Sequence, residues 1–126
     1  MNSVILTGLT ECFSPRMLQQ GRGRILNVAS AAVSHPIHNM AAYAPWKAYV
    51  LHHSEALAEE LVGTEVRVFV LYPGTIATEF GRRAVEEMLP FFEGPIVMTA
   101  ERVTVEGYGG VLAGKRIIIK GRLKQI

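Results

Sequence analysis

Tyr43 and Lys47 are four residues apart in the stretch MAAYAPWKAYV, residues 40–50. On a helix, this spacing places both side chains on one face, one turn apart. A tyrosine hydroxyl is a poor base at neutral pH, but a neighbouring ammonium stabilises the phenolate and so favours acid–base chemistry. The pair is therefore a candidate for moving a proton. By itself, the same spacing also fits an ordinary pair on a helix surface.

Further polar residues stand where strand-like runs end. Ser30 closes the run RILNVAS and precedes Tyr43 by 13 residues. The turn PGTIAT, residues 73–78, closes the run EVRVFVLYPG. Alone, Ser30 would be an ordinary serine at a strand end. His35 and His38 lie in the loop after Ser30 and either line a pocket or stay exposed, and without a third ligand they do not predict a metal site.

Alternating helical and strand-like segments must position these residues. Apolar residues at helical spacing predict helices, and continuous apolar runs predict strands buried on both faces. Pro15 is expected to kink the first helix or shift its last turn, and Gly63 to cap the second. The expected order is a helix over 3–20, a strand over 24–30, a helix over 43–62, a strand over 65–74, a helix over 99–112 capped by Thr99, and a strand over 116–121. Such alternation predicts an α/β fold with parallel strands joined by right-handed crossovers.

Composition limits the class of protein. The chain has 126 residues, 49% hydrophobic and 19% charged, which predicts one globular domain. The net charge of +2 and two short basic clusters, 21–24 and 120–124, favour solvated loop ends over a nucleic-acid surface. No apolar run approaches the ~20 residues of a membrane helix, and the start MNSVILTGL does not resemble a signal peptide. The single cysteine, Cys12, excludes an internal disulfide and fits a reducing, cytoplasmic compartment.

Taken together, these features resemble the short-chain dehydrogenase/reductase family. The family pattern is a strand-end Asn-x-x-Ser, here NVAS, then Tyr-x-x-x-Lys, here YAPWK, then a Pro-Gly turn with a following threonine, here PGTIAT. Asn2 stands 28 residues before Ser30, at the spacing of the family's helix asparagine. The resemblance extends from Asn2 to about Gly121. It implies a three-layer, doubly wound Rossmann-like fragment with three parallel strands in chain order, forming a single domain over 1–126.

The resemblance implies NAD(P)-dependent hydride transfer between a carbonyl and an alcohol. Tyr43 would exchange the proton with the substrate oxygen, and Lys47 would stabilise the phenolate and hydrogen-bond the nicotinamide ribose. Ser30 would hold and polarise the substrate oxygen. Asn2 would position a water that connects Lys47 to solvent, although an asparagine there also fits a helix cap.

The same resemblance gives the cofactor contacts. Pro73 and Gly74 would turn the chain towards the nicotinamide, and Ile76 and Thr78 would contact its carboxamide, beside Tyr43 and Lys47. NAD and NADP are not separated, because the residue that distinguishes them lies outside the matching part of the family pattern.

The chain departs from the family pattern in its first half. Members are about twice as long and begin with a glycine-rich strand–turn–helix that cradles the pyrophosphate. TGLT at residues 7–10 is not that turn, because no glycines follow at the required spacing and it lies inside the first helix. We therefore expect a truncated member that keeps the substrate and nicotinamide side, binds the dinucleotide poorly and is inactive alone. A longer gene product is the alternative.

Trp46 is the second departure, because the family usually has a small residue just before the lysine. At about 100° per residue, the indole should lie beside Tyr43, on the side away from Lys47 and near Tyr49 and His53. It then either forms an aromatic packing patch, also available to a partner subunit, or displaces Tyr43.

The expected partners are a second copy of the chain and a small carbonyl or alcohol substrate, with no nucleic acid and no membrane. The homodimer or larger homo-oligomer would form through the helices over 3–20 and 43–62. A different class of function, a non-enzymatic oligomerisation or interaction module derived from the family, remains open. Residues 78–98 would form the substrate lid, partly as a short helical excursion. Their apolar side chains indicate either an apolar substrate or packing on the domain itself: Phe80, Met88, Leu89, Phe91 and Phe92.

Overall fold

A computed structural model describes residues 2–30, 41–76, 92–93, 97–119 and 122–123. His35, His38, Thr78 and most of the expected lid lie outside these residues. The elements in chain order are α1 (Asn2–Gln19), β1 (Gly23–Val28), α2 (Tyr43–Glu60), β2 (Val66–Tyr72), β3 (Thr75–Ile76), β4 (Phe92–Glu93), β5 (Val97–Met98), α3 (Ala100–Leu112), β6 (Ile117–Ile119) and β7 (Arg122–Leu123).

The main sheet has three parallel strands in the order β1-β2-β6. Val28 pairs with Leu71, and Val70 pairs with Ile117. The prediction of an α/β fragment with three parallel strands in chain order is confirmed. The pairs β3–β5 and β4–β7 were not predicted, because a two-residue strand has no hydrophobic period to detect.

Helices α1 and α2 cover one face of this sheet. Val50, on the inner side of α2, is fully buried and packs with Ala29, Val70 and Tyr72. Nearer the start of the strands, a second apolar cluster contains side chains of both helices, of β1 and of β2. Its members are Leu61, Val66, Val68, Met17, Ile25, Leu57 and Ala58.

Helix α3 covers the opposite face, where Val103 and Val111 pack on Phe69 and Leu71 of β2. The Thr99 hydroxyl accepts a hydrogen bond from the Arg102 N–H at 3.2 Å, so the predicted N-cap is confirmed. Gly107 is buried against the sheet, and a Cβ there would lie 2.9 Å from a methyl group of Leu71. This glycine, which weakens the helix intrinsically, permits close packing of α3 on β2.

The ends of α1 and α2 depart in detail from the sequence prediction. Helix α1 continues past Pro15 to Gln19, and the turn into β1 uses Gly21 with a φ of 64°. Helix α2 ends at Glu60 with Leu61 as its C-cap, so the prediction of Gly63 as the cap was wrong. The Thr64 N–H donates to the Leu61 carbonyl, and this extra turn moves the positive φ of Gly63, 86°, beyond the helix end.

Candidate active site

Ser30 lies just beyond the carboxyl end of β1. Strand β1 ends at Val28, and the Ala29 N–H still donates to the Leu71 carbonyl of β2 at 2.9 Å. Ser30 is 9% exposed. In open α/β sheets, ligands bind at the carboxyl ends of the strands, so this serine occupies the edge where a site is expected.

The first turns of α2 lie against the same strand end. Tyr43 is the first residue of α2, and Lys47 follows one turn later. The Lys47 Nζ donates a hydrogen bond to the Val28 carbonyl at 2.8 Å. This bond links the helix that carries Tyr43 and Lys47 to the strand end that carries Ser30. Three of the predicted site residues are therefore held at one end of the sheet.

The Lys47 ammonium lies close to two aromatic rings. Its Nζ is 5.8 Å from the centroid of the Tyr43 ring and 5.7 Å from that of the Trp46 ring. Distances below about 6 Å allow cation–π attraction. Burial lowers the pKa of Lys47 below its ordinary value, because the charged form loses hydration.

The expected position of Trp46 was partly wrong. Its indole lies close to the Lys47 ammonium, because the long lysine stem lets the Nζ reach both rings. The Trp46 side chain packs on the cluster around Val50, whereas the Tyr49 ring stacks on His53 at 5.5 Å between centroids. The geometry therefore favours a packing role for Trp46.

The remaining predicted residues are spread over two places. Asn2 is exposed at the start of α1 and lines a groove together with Trp46. Pro73 is buried and Gly74 half-buried directly after β2, and Ile76 lies in β3. Thr78 lies outside the described residues. Among the residues that are described, no cluster of histidine, cysteine or carboxylate side chains has the arrangement of a metal site.

A buried polar contact that the sequence analysis missed supports the helix that carries the pair. The Asn27 Nδ2 donates to the Ser54 Oγ at 2.8 Å, and this hydroxyl donates to the Val50 carbonyl at 2.6 Å. Ser54 is fully buried and lies two turns after Lys47 on the same face of α2. The signal was an asparagine among the apolar residues Ile25, Leu26 and Val28 of β1, since a buried amide requires a partner.

The family model for short chain dehydrogenase matches residues 1–89. This chain belongs to that family. Among its curated relatives, the short chain dehydrogenase andI of Emericella variicolor is 34% identical over 83 residues, 66% of this chain and 29% of the relative. The NADP-dependent 3-hydroxy acid dehydrogenase YdfG of Salmonella typhimurium is 38% identical over 80 residues, 63% of this chain and 32% of the relative.

Solved structures of short-chain dehydrogenases are also similar to this chain. A short chain dehydrogenase from Burkholderia cenocepacia J2315, in complex with NADP, superposes with a TM-score of 0.76 and 25% identity. The match covers 93% of this chain and 45% of the Burkholderia protein. The chain thus spans about a third of the curated relatives and less than half of this solved one. Within the described residues, no helix is both long and apolar enough to span a bilayer.

Proposed function

We propose that this chain carries the catalytic and nicotinamide-facing side of an NAD(P)-dependent carbonyl/alcohol oxidoreductase. The observation that supports this most directly is the Lys47 ammonium, which is hydrogen-bonded to the end of β1 and adjacent to the Tyr43 ring. In a surface ion pair the ammonium would be fully hydrated, whereas here burial disfavours the charged form of Lys47 and lowers its pKa. Partial desolvation of this kind is frequent at functional sites.

The proposed roles follow from which atoms donate and accept protons. The Tyr43 hydroxyl gives its proton to the substrate oxygen as a carbonyl becomes an alcohol, and takes it back in the reverse direction. The Lys47 ammonium stabilises the phenolate that this leaves. The Ser30 hydroxyl donates to the same substrate oxygen and fixes its position. Asn2 holds a water through which the site regains its proton from solvent.

The nicotinamide cofactor supplies or accepts the hydride when it is bound. Pro73 and Gly74 follow the carboxyl end of β2, the place where a chain turn approaches a ligand in this fold class. With Ile76, Thr78, Tyr43 and Lys47 they would hold the nicotinamide end of either NAD or NADP. A glycine-rich turn for the pyrophosphate is not present in the sequence, so the chain by itself would bind either dinucleotide weakly and would be inactive.

The proposal extends to the state of the chain in solution. We infer a single domain over 1–126 in a reducing, cytoplasmic compartment, assembled as a homodimer or larger homo-oligomer through α1 and α2. The exposed side chains of Val4 and Tyr49 are available for that contact. They also support the second candidate, a non-enzymatic interaction module. If the chain assembles but shows no turnover after fusion to an amino-terminal half, that result would favour the interaction module.

A fusion protein tests the proposed chemistry. The amino-terminal half of the Burkholderia cenocepacia dehydrogenase would be joined in front of Met1, and NADPH oxidation would be followed with a panel of apolar ketones and aldehydes. We expect turnover that Tyr43→Phe abolishes while NADPH binding persists. Turnover that survives Tyr43→Phe unchanged, or a folded, NADPH-binding fusion without turnover on any substrate, would contradict the proposal.

A further inference from the structure

A cleft opens at the amino ends of β2 and β6, at the end of the sheet opposite Ser30 and Lys47. Its volume is about 310 Å³, at the lower end of the ~300–1,000 Å³ of cavities that hold small ligands. The side chains that line it come from the end of α2, from the start of β2 and from the turn between α3 and β6. The cleft lies on the side of β2 that faces β6, whereas β1 pairs with the other side.

The floor of this cleft is apolar. Leu61 at the end of α2 and Val66, Val68 and Phe69 of β2 line it, and all four are buried. Val66 and Val68 pack on the α2 side of the sheet, whereas Phe69 packs on the α3 side. The cleft therefore reaches the apolar layers on both faces of the sheet. A ligand that fills it needs an apolar body, because only apolar surface gains from contact with this floor.

The backbone of Val68 adds a hydrogen-bond donor and an acceptor to the cleft. Pairing between β2 and β6 begins at Val70 with Ile117, and the Val70 N–H donates to the Arg116 carbonyl at 2.9 Å. In a parallel strand, both backbone groups of one residue point to the same side, and residues two apart share that side. The Val68 N–H and C=O therefore face the β6 side before that strand begins, and no backbone group of the described residues pairs with them there. Buried backbone groups require hydrogen-bond partners, and a ligand amide can pair with both.

Arg67 brings a positive charge to the rim of the cleft. Its Nη1 donates to the carbonyls of Thr64 and Val66. A guanidinium carries five N–H donors in a fixed fork, so these bonds hold the group and leave the edge formed by Nε and Nη2. Among the described residues no carboxylate forms an ion pair with Arg67, whereas Glu59 neutralises the neighbouring Arg116 at 2.8 Å. Two parallel N–H groups of this kind match the two oxygens of a carboxylate.

We propose that this cleft binds a small monocarboxylate with an apolar body and an amide group, the chemistry of an N-acyl amino acid with an apolar side chain. The carboxylate pairs with the Nε and Nη2 of Arg67, and the amide pairs with the backbone of Val68. The apolar side chain of the ligand lies on Leu61 and Phe69. The inference stands on the cleft alone and does not depend on the proposed chemistry at the other end of the sheet.

An NMR titration of the isotope-labelled full chain with N-acetyl-L-leucine tests this binding. We expect saturable shifts centred on the Val68 amide and the Arg67 Nε. N-acetyl-L-leucinamide lacks the carboxylate and should bind about tenfold or more weakly, because the charge-assisted hydrogen bonds are lost. Isocaproate lacks the amide and should bind several-fold more weakly. No saturable binding, shifts that spare Val68, or an analogue that binds as tightly as N-acetyl-L-leucine would overturn the proposal.

Two exposed arginines at the amino end of the sheet provide a matched pair. Arg67 lines the cleft, whereas Arg22, in the turn before β1, lies outside it. Arg67→Met should raise the dissociation constant for N-acetyl-L-leucine by about tenfold or more, because the carboxylate loses its partner. Arg22→Met should leave it unchanged. Equal losses in the two variants would show a general attraction of anions to a basic surface and would also overturn the assigned site.

Discussion

At the scale of single residues, the Lys47 ammonium is the group that the fold perturbs most clearly in the site. Burial lowers its folded-state pKa, while in the unfolded chain the amine returns to its ordinary value. Between these two values the folded chain binds fewer protons than the unfolded chain. The contribution of Lys47 to stability therefore increases as pH rises through this window.

We expect the stability of the wild type relative to Lys47→Met to increase between pH 7 and about pH 10, measured by urea unfolding. Lys115→Met, which changes an exposed lysine, serves as the control and should show no such increase. A difference between wild type and Lys47→Met that is independent of pH would show that the amine is not desolvated.

The hydrogen bond between Asn27 and Ser54 leads to a second prediction about single residues. Ser54→Ala leaves the buried Asn27 amide without its acceptor, which should cost about 1–3 kcal/mol. Asn27→Val combined with Ser54→Ala removes both polar partners and should restore most of that loss. Urea unfolding of the single and double variants measures the coupling. Additive losses would indicate that the two side chains do not depend on each other.

The sequence was informative about the residues of the site and less informative about what supports them. The spacings of Ser30, Tyr43 and Lys47 identified residues that the fold places at one end of the sheet. The Lys47 contact with the Val28 carbonyl involves a backbone atom 19 positions away, and side-chain patterns carry no information about such an acceptor. The position of Trp46 was partly missed because an ideal helical wheel ignores the reach of a long lysine side chain.

At the scale of elements, the glycines of α3 provide a matched pair. A Cβ at Gly107 would lie 2.9 Å from buried Leu71, whereas a Cβ at Gly109 would have nothing within 4 Å. Gly109→Ala should stabilise the chain by up to about 1 kcal/mol through helix propensity. Gly107→Ala should lose this gain because Leu71 must move. Thermal or urea unfolding compares them, and equal stabilisation would contradict close packing of α3 on β2.

The long elements of this fold follow from local patterns, and the short ones do not. Helices α1, α2 and α3 and strands β1, β2 and β6 were predicted within a few residues, because each has a sustained apolar pattern. The C-cap of α2 is Leu61 and not Gly63, because the chain forms an additional turn after Leu61 that places Gly63 beyond the helix end. Strands β3, β4, β5 and β7 depend on partners distant in sequence.

At the level of the whole molecule, two exposed valines test the proposed assembly through α1 and α2, one on α1 and one on α3. Val4 on α1 is 74% exposed, and Val105 on α3 is 70% exposed. Val4→Asp should raise the dimer dissociation constant by about tenfold or more, since a charge in a packed interface is costly. Val105→Asp should not change it. Light scattering across a concentration series measures both, and a wild-type monomer at high micromolar concentration would refute the assembly.

This chain is proposed to hold the chemistry of the family's site and to depend on a second half to hold the dinucleotide. Backbone N–H groups at a glycine-rich turn and helix start are what normally bind the pyrophosphate. Calorimetry measures the binding of NADPH to the 126-residue chain and to its fusion with the amino-terminal half of the Burkholderia cenocepacia dehydrogenase. We predict binding no tighter than millimolar for the chain alone and micromolar binding for the fusion. A micromolar dissociation constant for the chain alone would contradict the claim.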